Sequence, residues 1–61
     1  MNDFMKDSNT IFTAISTGNF DNFQQAMQVI ATLYIPDMNF SRAGISHAIK
    51  RLEKFYTGGA K

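Results

Sequence analysis

Apolar residues recur at helical spacing in three stretches of this chain, and no stretch alternates as a half-buried strand would. The last stretch is the clearest. Ile45, Ala48, Ile49, Leu52 and Phe55 follow one another at offsets of 3, 4, 7 and 10, and Tyr56 widens the stripe. Ser41 stands where an N-cap is needed, Phe40 before it can act as a staple, and Gly58-Gly59 ends the helix. In the middle stretch Phe23, Ala26, Met27, Ile30, Ala31, Leu33 and Tyr34 form a broad apolar face. Asp21 and Gln24 read as a capping box with Asp in the Ser/Thr position, and Pro36 forces the stop. The first stretch is shorter, with Ile11, Phe12 and Ile15 in phase, Asp7 or Ser8 as N-cap, and Gly18-Asn19 as terminator.

The spacing therefore predicts an all-α fold: one small three-helix domain over 1–61, with helices at about 8–17, 21–35 and 41–57. Residues 1–6 are expected to fray or to dock loosely through Phe4 and Met5, and 58–61 to form a tail. Pro36-Asp37-Met38-Asn39 has turn chemistry, so the last two helices read as helix-turn-helix-like. Gly44 is out of place inside a helix, where it costs about 1 kcal/mol relative to Ala. It calls for close packing against another helix, a first turn that is not fully helical, or close approach of a ligand backbone.

At 61 residues and without cysteine, the chain has room for one thin core and no disulfide to reinforce it. A chain of this size buries only about 60% of its unfolded surface, so the expectation is either marginal stability or a dimer interface that completes the core. The Phe and Met residues are more than three short helices can cover, and Phe4, Met5, Phe20, Met27 and Met38 are the candidates for an apolar interaction patch. The longest apolar-rich run, 26–35, is interrupted by Gln28 and Thr32 and falls short of the roughly 18 residues needed to span a bilayer. No basic start followed by an apolar run marks a secretory leader. A soluble, cytoplasmic protein is the expectation.

Net charge is only +1, but it is unevenly placed. Residues 1–40 hold Lys6 against Asp3, Asp7, Asp21 and Asp37, a net of −3; residues 41–61 hold Arg42, Lys50, Arg51, Lys54 and Lys61 against Glu53, a net of +4. Such asymmetry points to an anionic partner. On the last helix Arg42, His47, Lys50, Arg51 and Lys54 turn away from the apolar stripe, giving a cationic front on an apolar back. The bland account is a solvated face with ordinary salt bridges; the sharper one is a surface that displaces counterions from phosphates.

The segment Phe40-Ser-Arg-Ala-Gly-Ile-Ser-His-Ala-Ile-Lys-Arg-Leu-Glu-Lys54 resembles the recognition helix of LysR-type transcriptional regulators. Ser41, Ile45, Ser46, Ile49, Lys50, Arg51, Leu52 and Glu53 match that family's pattern in order and register, with Arg42 where the family usually has Gln. The resemblance implies a helix laid in the major groove of double-stranded DNA. Ser41, Arg42, Ala43, Ser46 and His47 would face bases or phosphates, and Lys50 and Arg51 the backbone. It spans about fourteen residues. Pro36 falls where the family carries its preceding helix, Gly58 comes one place later than the family's glycine, and no wing strands follow.

Candidate chemistry beyond this is sparse. His47 is the single histidine, it has no Cys or carboxylate at ligand spacing, and it reads as an exposed polar residue or a phosphate contact. Ser46 beside it points elsewhere on a helix. The carboxylates show no pairing suited to acid–base work, and no glycine loop could cradle a phosphate. No enzyme activity, cofactor or metal is expected. Two functions remain in view. One is a dimeric DNA-binding regulator of transcription or of a mobile element, with Lys54 completing the contact set. The other is a non-enzymatic protein-interaction module, such as a small phage-type inhibitor or adaptor, acting on a partner protein through an amphipathic helix and the Phe/Met patch.

Overall fold

The computed structural model describes residues 3–57, which form three helical elements and no strand. Helix α1 spans Asp3–Ser16, α2 spans Phe23–Val29 and continues without a break as a π-helical segment Ile30–Tyr34, and α3 spans Arg42–Thr57. The all-α, three-helix expectation is met. Its boundaries shift in three instructive places.

The first is the start of α1. Residues 3–6 are helical rather than frayed, and Asp7 and Ser8 lie inside the helix instead of capping it. Residues 1–2 and 58–61 lie outside the described part, and so does the expected Gly58-Gly59 stop. Helix α1 begins early because its first turns have a partner. Phe4 meets the His47 ring edge-on at 5.7 Å, and an Asp7 carboxylate oxygen accepts the Ser41 backbone N–H at 2.8 Å. Asp7 thus caps α3, 34 residues away, rather than its own helix. At the other end Gly18 N–H reaches Ile15 O, and Asn19 takes the left-handed conformation at φ 61°. Gly18 makes room for the Phe20 ring, whose Cε2 would lie 2.6 Å from a Cβ placed there.

The second shift is the cap of α2. Asn22, one residue after the expected Asp21, is the N-cap, and its side chain accepts from Gln25 N at 3.0 Å. The Gln25 side chain in turn accepts from Asp21 N at 3.2 Å. The forward bond of a capping box is kept, one position further on, while the returning bond reaches the N–H before the cap.

The third is the π segment. Ile35 N–H donates to Ile30 O at 2.9 Å, an i to i+5 bond that widens the last turn before Pro36. The wider turn delays the phase of every residue after Ile30. Leu33 therefore leaves the apolar face and is 60% exposed, while Tyr34 stays half-buried, edge-on to Phe40 at 5.0 Å.

Ile11, Ile15, Ala26, Ile30, Ile45, Ala48 and Leu52 form the core, with Phe12, Phe20, Phe23, Met27, Tyr34, Phe40, Ile49 and Tyr56 packed around it. Phe55, expected in the stripe, lies at its edge, 46% exposed and edge-on to Phe12 and Tyr56. Contacts between α1 and α3 advance in step: Phe4 with His47, Ser8 with His47 and Arg51, Phe12 with Arg51 and Phe55. The two helices therefore run parallel, and α2 with its π segment carries the chain back between them. Gly44 permits this pairing. A Cβ there would lie 2.5 Å from Asp7 Cβ, 2.8 Å from Phe4 O and 2.9 Å from Ser41 Oγ. Of the reasons open for Gly44, close packing against another helix is the one realised.

Candidate nucleic-acid interface

Ile45, Ala48 and Leu52 bury one side of α3, which leaves Arg42, Ala43, Ser46, Lys50, Glu53 and Lys54 exposed on the opposite arc. Lys50 sits near the middle of that arc, with Ser46 and Arg42 one and two turns before it and Lys54 one turn after. Ser41 starts the helix as expected, its Oγ accepting from Gly44 N at 3.0 Å and its carbonyl from Ile45 N at 3.0 Å. A capping side chain so engaged is held in place by the scaffold, with its hydroxyl proton still available to donate.

His47 and Arg51 occupy the border of the arc, turned towards α1. His47 is half-buried, not free in solvent, with its Nδ1 2.7 Å from Ser8 Oγ. Arg51 Nη1 donates to Asn9 Oδ1 at 2.6 Å and to Ser8 Oγ at 3.2 Å, and the guanidinium lies 4.3 Å over the Phe12 ring. Both acceptors are neutral. Hydrogen bonding and cation–π stacking therefore aim the Arg51 charge without cancelling it. His47, Lys50, Arg51 and Lys54 together line a shallow depression of about 230 Å³. Of the eight residues picked out from the sequence, the structure gathers these four and spreads Arg42, Ala43 and Ser46 along the arc before them.

Sequence reasoning missed Ser8, Asn9 and Phe12, which supply the α1 side of this arrangement. A signal was present: Ser8 precedes Ile11 by three positions and Ile15 by seven, so it is a polar residue in an apolar stripe. It is 0% exposed.

The proposed apolar patch is redrawn. Phe20 and Met27 pack against the core, while Phe4 and Met5 are half-buried, Phe4 against His47. Only Met38 of that set is freely exposed, at 97%, and its neighbours in exposure are Leu33 and Ile35. Ile35 also borders a groove of about 190 Å³ with Arg42, Ile45, Ser46 and Ile49. A broader concavity of about 530 Å³ along α2 is lined by Phe20, Gln25, Gln28, Val29, Thr32 and Leu33, none of them ionisable.

Among the described residues no group of three or more His, Cys, Asp or Glu gathers, and no helix is long and apolar enough to cross a membrane. Seven residues, 35–41, join the π segment to α3, against the three or four of a helix-turn-helix turn. No protein-family model, curated protein or solved structure matches the chain.

Proposed function

We propose that the chain binds double-stranded DNA through the free arc of α3, as a small non-enzymatic regulator of transcription or of a mobile element. The observation that carries this reading is the run of exposed Arg42, Lys50 and Lys54 on one helix face, with Arg51 held beside them by neutral partners. Cations so placed neutralise successive phosphates and release their counterions. The resemblance of 40–54 to a LysR-type recognition helix supports the same surface. The long connection before α3 means that α1, rather than a preceding helix in a tight turn, would brace the reading helix.

Fluorescence anisotropy of the protein against a mixed-sequence duplex, from low to physiological salt, tests this. Affinity should fall steeply with salt. The double substitution Lys50→Glu/Lys54→Glu should lower the log–log slope by about two, because two phosphate contacts are lost. Both side chains are exposed, so the fold should persist. Unchanged affinity in the folded variant would end this reading.

A second reading rests on a different observation, the exposure of Leu33, Ile35 and Met38 where the π segment meets the turn. It makes the chain a protein-interaction module in which this apolar edge seats a second copy. Sedimentation across a concentration series decides it: dimerisation abolished by Met38→Lys supports it, and a monomer at all concentrations rejects it.

A further inference from the structure

Ser8 is a completely buried hydroxyl between two helices, and its bonding determines more than packing. Arginine can only donate, so the Ser8 oxygen accepts from Arg51 Nη1 at 3.2 Å. Arg51 offers no acceptor, so among the described residues the serine's own proton has one hydrogen-bond acceptor, His47 Nδ1, 2.7 Å away. With Nδ1 accepting, a neutral imidazole carries its hydrogen on Nε2, a tautomer assigned here by the hydrogen-bond network. The rest of the network is consistent with this, since no buried side-chain nitrogen or oxygen among the described residues lacks a partner.

This changes the character of the depression lined by His47, Lys50, Arg51 and Lys54. Two ammonium groups and a guanidinium can donate and cannot accept. The imidazole joins them as a donor through Nε2–H once Ser8 occupies Nδ1. A shallow hollow walled by four donors, three of them on Lys and Arg side chains, suits an oxyanion with several acceptor oxygens. Its components also differ in rigidity. Arg51 is fixed over Phe12 and tied to Asn9 and Ser8, and His47 is tied to Ser8 and edge-on to Phe4, whereas Lys50 and Lys54 are exposed.

We infer that this hollow binds a single phosphate group, and that Ser8, Asn9 and Phe12 of α1 are positioning residues for it. The inference rests on the DNA reading and deepens it: the phosphate is one phosphodiester of the duplex backbone. It also gives α1 a part in recognition. Ser8 selects the His47 donor, Asn9 and Phe12 aim the guanidinium, and the two lysines follow the phosphate as it arrives. Inorganic phosphate offers the same oxyanion chemistry without the duplex.

The test is a side-chain NMR titration of the full chain labelled with nitrogen-15. Spectra of the His47 imidazole and the Arg51 guanidinium are followed on addition of a short duplex, and separately of millimolar inorganic phosphate. The free protein should show Nδ1 unprotonated and Nε2 protonated, and the duplex should shift the His47 Nε2 and Arg51 signals together. Ser8→Ala, checked for helicity, should lose the fixed tautomer and weaken duplex binding about three- to tenfold. Its salt slope should stay unchanged, since no charge is removed. Lys50→Gln should instead lower the slope by about one. If the duplex binds while His47 and Arg51 stay unmoved, the phosphate site is overturned and the DNA reading survives. If only inorganic phosphate moves them, the site stands and the DNA reading falls. If neither ligand moves them and the duplex does not bind, both are overturned. The wild-type titration decides between these outcomes even if Ser8→Ala fails to fold.

Discussion

Helix α3 meets its two neighbours by different means. Towards α1 the contact is close and directional: Gly44 lets the backbones approach, Asp7 caps Ser41, and Ser8 joins His47 to Arg51. Towards α2 it is apolar and less tightly specified, built from Ala26 and Ile30 against Ile45, Ala48 and Leu52 in one core cluster, with Leu33 and Ile35 left exposed. Hydrogen bonds with fixed donors and acceptors admit one register, while packed hydrocarbon tolerates a shift as long as volume is kept. The chain uses that tolerance. The π turn sits on the permissive side, where a displaced phase costs an exposed Leu33 and leaves Ile30 buried.

The largest expected effect comes from Gly44→Ala, because two principles oppose each other there. Helix propensity favours alanine by about 1 kcal/mol. The new methyl group would meet the root of the Asp7 side chain and the Phe4 carbonyl, neither of which can swing aside. Overpacking against two atoms that cannot yield falls at or above the top of the usual range, about 3 kcal/mol or more, so thermal unfolding followed by circular dichroism should show a net loss of about 2 kcal/mol or more after the propensity gain. A raised midpoint would mean that the α1–α3 approach is softer than its geometry.

Asp7→Ala comes next. It removes a carboxylate bond to the amide that opens α3, worth about 1–2 kcal/mol in a partly buried setting. Amide hydrogen exchange should quicken at Ser41 in particular, and exchange unchanged there would show that the cap does not hold the helix start. Smallest is Leu33→Gln on the permissive side, expected to stay within about 0.5 kcal/mol of the parent in denaturant titration. A loss as large as that of Gly44→Ala would erase the contrast between the two faces.

The same contrast separates what could be read in the sequence from what could not. Helix α3 was legible because its signals are local: Ser41 caps it, and Ile45, Ala48 and Leu52 repeat within three or four positions. The start of α1 was not. Asp3, Lys6 and Asp7 look like solvent-facing residues, and only the distant Ser41 amide gives Asp7 its place. The i to i+5 bond at Ile30 leaves no mark in composition, so the drift of Leu33 off the apolar face was hidden too. In the candidate site, charge alone located Arg42, Lys50 and Lys54. It could not separate them from Arg51 and His47, whose orientation depends on Ser8 and Asn9 from another helix.

The parallel pairing of α1 with α3 also bears on how quickly the chain can reach this structure. The hydrogen bonds between the two helices join residues 34 to 43 positions apart in a chain of 61. An ordinary helical hairpin closes over a short loop and gains its contacts early; here the intervening chain must be gathered before Ser8, His47 and Arg51 can meet. Folding should therefore be slower than three helices of this length would otherwise allow. During synthesis α1 must wait for the last quarter of the chain to emerge before its buried serine has a partner.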